Sequence, residues 1–275
     1  VKRIASVNEK IVPVMAIFFI VSSILALIFN ITSIPSAFQL IFKEAFNFKA
    51  AAGGAAGFGI MKSMQFGFSR GVFSNEAGLG SSVIVHCSAN VKEPVRQGMW
   101  GVFEVFFDTI VICTMTAILV LSSGYIDLTT GNPTIANLED STLVSRIFGD
   151  TFGYAGEVFI AISLFLFAFT TILGWSQYGG KAVEYLFGIK AVKVYKIIFV
   201  LMIVSGAIIT SDLAWEISDI FNGFMMIPNL IAVITLCPLV IKITKNYINR
   251  KIKHKDEKPL LSYDESIQKE LEENS

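Results

Sequence analysis

R-G-V-F-S-N-E-A-G-L-G-S-S, residues 70–82, places an arginine, a glutamate, an asparagine, three serines and three glycines between two apolar stretches. An ordinary membrane-crossing helix has no need of such a run. Glycine adopts backbone angles that other residues avoid, so Gly78 and Gly80 mark where a helix stops and restarts. A break there leaves N–H and C=O groups without helical partners, open to a substrate or an ion. The plainer reading is a connection between two spans. A connection in water, however, does not call for the apolar run from Leu79 to Val85, and one at mid-depth must be satisfied by protein or cavity water. Within the run Ser74 and Asn75 can donate and accept hydrogen bonds, and Phe73 can wall off a small cavity. Glu76 reads either as an ion or proton group or as a structural partner of Arg70 or Lys62.

The surroundings point to a membrane. Of 275 residues, 53% are hydrophobic and 16% charged, against about 25% charged in a typical soluble domain; the mean hydropathy is +0.64. The net charge is zero, and basic residues flank apolar segments instead of forming a face, which argues against nucleic acid as a partner. Cys87, Cys113 and Cys237 lack metal-ligand spacing and read as small buried hydrophobes. The chain begins at Val1 with no signal peptide ahead of the first span, so it is expected to be the latter part of a longer protein.

A hydrocarbon layer of ~30 Å takes about 20 helical residues to cross. Six crossings are expected: residues 11–31, 50–89 (broken), 98–124, 153–174, 192–210 and 218–241. Residues 33–48 are too short and too charged to span and read as a surface amphipathic helix. The segment 50–89 carries Lys62, Gln65, Ser69 and Arg70 and so cannot face lipid; small residues such as Ala51, Gly54, Ala55 and Gly57 let other helices approach it. Pro228 and Gly223 are kink candidates in the last span. Residues 1–247 thus form a transmembrane bundle and 248–275 a polar cytoplasmic tail, which from Pro259 is acidic and disordered or loosely helical. Lysines and arginines collect on alternate connections (Lys2, Arg3, Lys10; Lys92, Arg96; Lys181 to Lys196; Lys242 to Lys258), with Lys43 and Lys49 as exceptions. That bias puts both termini of a multi-pass chain in the cytoplasm.

Thr170, Thr171 and Trp175 form a second constellation, in F-A-F-T-T-I-L-G-W-S. Thr171 and Trp175, four apart, share one helix face. Threonine hydroxyls and backbone carbonyls suit a hard cation such as sodium, although a threonine in a span often bonds only its own i−4 carbonyl. Glu104 and Asp108 read as functional acids, as snorkelling groups, or as partners of Arg70. His86 reads as a packed core residue, Trp100 and Trp215 as interface anchors, and Asn222 and Asn229 as interhelical hydrogen-bonding residues. There is no nucleophile–histidine–acid set, phosphate loop or metal cluster in the sequence, so an enzyme is not expected.

The run 70–82, then E-P-V-R-Q-G and F-E-V-F-F-D-T-I-V-I-C-T-M-T-A, F-A-F-T-T-I-L-G-W-S-Q-Y-G with V-E-Y-L-F-G, and D-I-F-N-G-F-M-M-I-P-N-L-I-A, in that order, resemble the sodium:alanine symporter family, the alanine or glycine:cation symporters. The resemblance reaches to about Tyr247. It implies an all-α transmembrane, leucine-transporter-like inverted-repeat fold, of which this chain is the C-terminal part, its first span matching the fifth core helix and its broken span the sixth. It implies a substrate site bordered by Phe73, Ser74, Asn75, Gly78, Gly80, Thr171 and Trp175, and sodium held by Thr170 and Thr171. The implied function is sodium-coupled symport of a small neutral amino acid, alanine or glycine, across the cell membrane. Sodium is the coupling ion, and no cofactor is expected. The partners implied are the lipid bilayer and the four N-terminal core helices that the resemblance leaves outside this chain. The alternatives are a non-transporting membrane remnant or scaffold subunit, and an ion channel, which would need polar residues along a whole pore instead of at one depth.

Overall fold

A computed structural model describes residues 2–45, 54–127, 134–135, 140–262 and 264–273, and the described elements are helical. The chain divides into two compact units, residues 1–64 with 109–202 and residues 65–108 with 203–275.

The first unit holds α1 (Lys2–Phe29), α2 (Ile34–Ala45), the start of α3 (Gly54–Asn75), α6 (Thr114–Ser122), α7 (Asp140–Phe152), α8 (Tyr154–Phe187) and most of α9 (Ile189–Gly206). Its core is Ala26, Leu119, Leu143, Ile147, Phe148 and Ile160, with Phe19 and Phe159 stacked on Phe148. Surrounding lipid is as apolar as these side chains, so close packing holds such helices together. The α7–α8 hairpin shows how: it turns at Gly153 (φ +66), and its helices meet at glycines. A Cβ on Gly149 would lie 2.7 Å from Glu157 Oε1, and one on Gly156 would run into the Phe148 carbonyl.

The second unit holds the end of α3, α4 (Val83–His86), α5 (Pro94–Phe106), α10 (Ser211–Lys251) and α11 (Glu265–Glu273). Pro94 starts α5, where its missing N–H forfeits no helical bond. A π-helical stretch, Phe107–Cys113, joins α5 to α6. Thr210 caps α10, its hydroxyl accepting the Leu213 N–H at 3.4 Å, and the helix continues past both Pro228 and Pro238.

Among the described residues four helical stretches are long and apolar enough to cross a membrane: Lys10–Phe29, Pro94–Ser122, Tyr154–Phe187 and Ser211–Lys251. Segment 50–89 comprises residues outside the described set, then α3, a break and α4; α9 occupies most of 192–210. Neither reaches that length and apolarity, because α3 carries the polar run and α9 carries Lys190, Lys193 and Lys196.

One expectation needs correction. The three cysteines are exposed, not buried; apolar neighbours in sequence place a residue in an apolar medium, which lipid supplies as well as protein does. The tail, expected to be disordered or loosely helical, carries α11 and bonds back to the end of α10. Asn246 Nδ2 donates to the Lys258 carbonyl at 2.9 Å, and Asn246 Oδ1 accepts the Leu260 N–H at 2.9 Å. Gln268 in α11 donates to the Pro259 carbonyl and accepts from the Leu261 and Ser262 N–H groups. Leu261 is 7% exposed.

Candidate functional site

In the second unit α3 stops at Asn75 and helix resumes at Val83. Three of five consecutive residues between them have positive φ: Glu76 (+54), Gly78 (+89) and Gly80 (+82). For glutamate that conformation costs roughly 1–2 kcal/mol, so the turn must be held by contacts. Asn75 Oδ1 accepts the Ala77 N–H at 2.9 Å, the Glu76 carbonyl accepts the Leu79 N–H at 3.2 Å, and Ser81 Oγ donates to Glu76 Oε2 at 2.6 Å. From α10, Asn229 Nδ2 donates to the Gly78 carbonyl at 2.9 Å. Glu76 thus partners Ser81, and Arg70 takes a different acid.

That acid is Asp219. Arg70 Nη1 lies 3.0 Å from Asp219 Oδ1 and 3.3 Å from Oδ2, and Ser69 Oγ donates to Oδ1 at 2.7 Å. The guanidinium sits 3.8 Å over the Trp215 ring, which also meets Phe73 edge-on at 5.0 Å. Trp215, expected as an interface anchor, is thus also a stacking partner of Arg70 and Phe73. Sequence reasoning missed this cluster, although Trp215 and Asp219 are four apart on α10 and so share a face. Beside it α3 and α10 border a cavity of about 430 Å³ lined by Gln65, Ser69, Val72, Asp219 and Met226 among others.

Ser74, a predicted substrate residue, donates to Asp108 Oδ2 at 2.7 Å. Asp108 opens the π-helical stretch, a distortion frequent at functional sites. His86, expected as a packed core residue, has polar partners on α5: Nδ1 lies 2.6 Å from Gln97 Nε2, and Nε2 lies 3.1 Å from Glu104 Oε2. The Gln97 amide and the Glu104 carboxylate thus hold the two ring nitrogens of His86. Neither Glu104 nor Asp108 bonds Arg70.

In the first unit Thr170, Thr171 and Trp175 all lie on α8. Thr170 is 8% exposed, and its hydroxyl donates to the Leu166 and Phe167 carbonyls, both at 3.0 Å. Its proton is thereby committed to the helix, which leaves oxygen lone pairs as the only capacity it can offer a cation. Thr171 is exposed on the next face, and the Trp175 ring meets Tyr178 at 5.6 Å. Phe73, Ser74, Asn75, Gly78 and Gly80 lie in the second unit.

The sequence was compared with known proteins. The model of the sodium:alanine symporter family matches residues 1–261. An uncharacterized transporter of Haemophilus influenzae is 42% identical over 94% of this chain and 55% of its own length. The sodium/alanine symporter AgcS of Methanococcus maripaludis is 40% identical over 90% of the chain and 52% of its own. The probable sodium/glutamine symporter GlnT of Bacillus subtilis is 39% identical over 93% and 52%. The chain spans about half the length of the curated relatives it matches. The family match itself runs from the first residue and lends no support to the expected absence of four core helices. No solved structure matches significantly. A helix broken at two glycines, the four apolar helices and a family match over nearly every residue agree: this chain belongs to the sodium:alanine symporter family.

Proposed function

We propose that the protein takes part in sodium-coupled import of a small neutral amino acid, alanine or glycine, across the cell membrane. The observation that carries this reading is the break after α3, where Glu76, Gly78 and Gly80 turn the backbone out of helix in a chain that matches the symporter family. A small amino acid presents a carboxylate and an ammonium, which N–H and C=O groups released from a helix can hold without fixed counter-charges. Phe73, Ser74, Asn75, Gly78, Gly80, Thr171 and Trp175 contact the substrate, and Thr170 and Thr171 offer oxygens to sodium. Sodium and substrate each favour the same arrangement of the helices, so each raises the other's affinity, and the inward sodium gradient drives uptake.

The same reading takes the fold as leucine-transporter-like, with six crossings and both termini of this segment in the cytoplasm. The alternation of basic and acidic connections supports that orientation. No enzymatic activity is assigned.

The test is uptake of radiolabelled alanine by cells expressing the protein, with external sodium replaced by choline. Uptake should fall at least tenfold. Unchanged uptake overturns sodium coupling, and no uptake in either medium overturns transport of alanine.

A further inference from the structure

A break containing Gly78 and Gly80 has little intrinsic reason to keep one shape, because glycine visits many backbone conformations with similar ease. Three hydrogen bonds around it, Ala77 N–H to Asn75, Leu79 N–H to Glu76 and Ser81 to Glu76, are local, joining residues no more than five apart. Local bonds of this kind shape a turn but do not fix it against the rest of the unit. A bond from a distant element comes from Asn229, 151 residues away in sequence, whose Nδ2 lies 2.9 Å from the Gly78 carbonyl.

The other end of the same amide faces Gly80. A Cβ on Gly80 would lie 2.7 Å from Asn229 Oδ1 and 2.9 Å from its Cγ. One asparagine side chain therefore bonds the first glycine of the break and closes against the second, and a Cβ on the first would lie 3.9 Å from its neighbour Leu230. Both members belong to the second unit.

We propose that Asn229 is the positioning residue of the break: it holds the Glu76–Gly80 turn to α10 and so sets where the Phe73–Gly80 wall meets the substrate. The part concerning substrate rests on the transport function proposed above; the hold on the break does not. Asparagine suits the task in size and chemistry. Alanine has no donor for the Gly78 carbonyl, aspartate sets a negative oxygen against it, and glutamine adds a methylene where Gly80 leaves no room.

The test pairs two measurements on the full chain. Amide hydrogen exchange across residues 76–82 is followed in purified wild type, Asn229→Ala and the isosteric Asn229→Asp. Alanine uptake is followed in the same variants, normalised to protein in the membrane. Exchange should accelerate at least tenfold in both variants, and KM for alanine should rise at least tenfold. A merely structural role would lower the amount of protein without moving KM. Asn222→Ala, seven residues earlier on α10, removes an amide donor that has no partner among the described residues and should change neither measurement.

Unchanged exchange in both variants overturns the proposal. Faster exchange with unchanged KM overturns the link to the substrate wall. Faster exchange in a protein whose wild type takes up no alanine supports the hold of Asn229 on the break and overturns the transport function instead.

Discussion

Arg70 and Asp219 are joined both by charge and through an aromatic ring: the guanidinium bonds the carboxylate at 3.0 Å and lies 3.8 Å over Trp215, four residues before Asp219 on α10. Charge pairing and stacking ask different things of the cation. Lysine can satisfy the first but lacks the planar face for the second. Arg70→Ala should cost about 1.5–3 kcal/mol of stability, the range for hydrogen bonds to charged groups. Arg70→Lys should recover only part of it. Thermal melting in detergent measures both, and the double variant with Asp219→Ala should lose less than the sum of the single changes.

The two glycines of the break should not be equally sensitive. Gly78→Ala meets only Leu230 at 3.9 Å, whereas Gly80→Ala meets Asn229 at 2.7 Å. Both carry the strain of positive φ, of order 1–3 kcal/mol, so Gly80→Ala should be the more destabilising. Equal melting temperatures for the two variants would contradict the close seat of Asn229.

On α8 the adjacent threonines separate two roles. Thr170 is committed to the Leu166 and Phe167 carbonyls, while Thr171 is exposed on the next face. Thr171→Val should weaken both sodium dependence and alanine affinity, by about tenfold, the effect of losing one ~1.4 kcal/mol contact. Thr171→Ser should restore them. Uptake measured against sodium concentration decides the matter, and wild-type behaviour of the valine variant removes Thr171 from the site.

At the far end of α10, Asn246 bonds the Lys258 carbonyl and the Leu260 N–H and accepts from Arg250 Nε. Arg250 in turn meets Glu93 at 2.5 Å, the two side chains being 12% and 14% exposed. Asn246→Ala should release the segment after Lys251. Limited trypsin cleavage at Lys253 and Lys255 should then quicken by about tenfold, with the membrane portion intact on a gel.

Acid should loosen the last helix. The Ser266 hydroxyl, then the Ser266 and Ile267 N–H groups, hold the Asp264 carboxyl below the usual carboxylate range. A depressed folded value means that the stabilisation is present above the unfolded value, about 3.9, and is lost as pH falls through the folded one. Helical protection of 265–273 should therefore persist at pH 5 and fade below about pH 4. Asp264→Asn should flatten that dependence, as hydrogen exchange on the tail peptide would show.

How much of this was legible in the sequence depends on how far apart the partners lie. The apolar run from Ile11 is helical through Phe29, and the glycines of 70–82 marked a break where one occurs. Both are local signals. The partners of the break are not: Asn229 was legible as an interhelical hydrogen-bonding residue, but its attachment to Gly78 was not. Arg70 had several acids within reach of a sequence argument, and the one it pairs with lies 149 residues away. His86 looked apolar because its neighbours Val83, Ile84 and Val85 are; its bonds go to Gln97 and Glu104 on α5. Composition left the tail open between disorder and loose helix, because it reports what a segment cannot bury alone and is silent about the helix end it can fold against.

The length of α10 has a mechanical consequence. Its 41 residues make a rod of about 60 Å at ~1.5 Å per residue, roughly twice the hydrocarbon thickness. A crossing takes about 20 of these residues, and the Asn246–Gln268 cap lies near the C-terminal tip. A tilt of ~10° within the membrane would swing that tip by roughly 5 Å. The cap is thus the pointer of a lever, where a small rotation among the buried helices becomes a displacement large enough for a pair of distance labels to read.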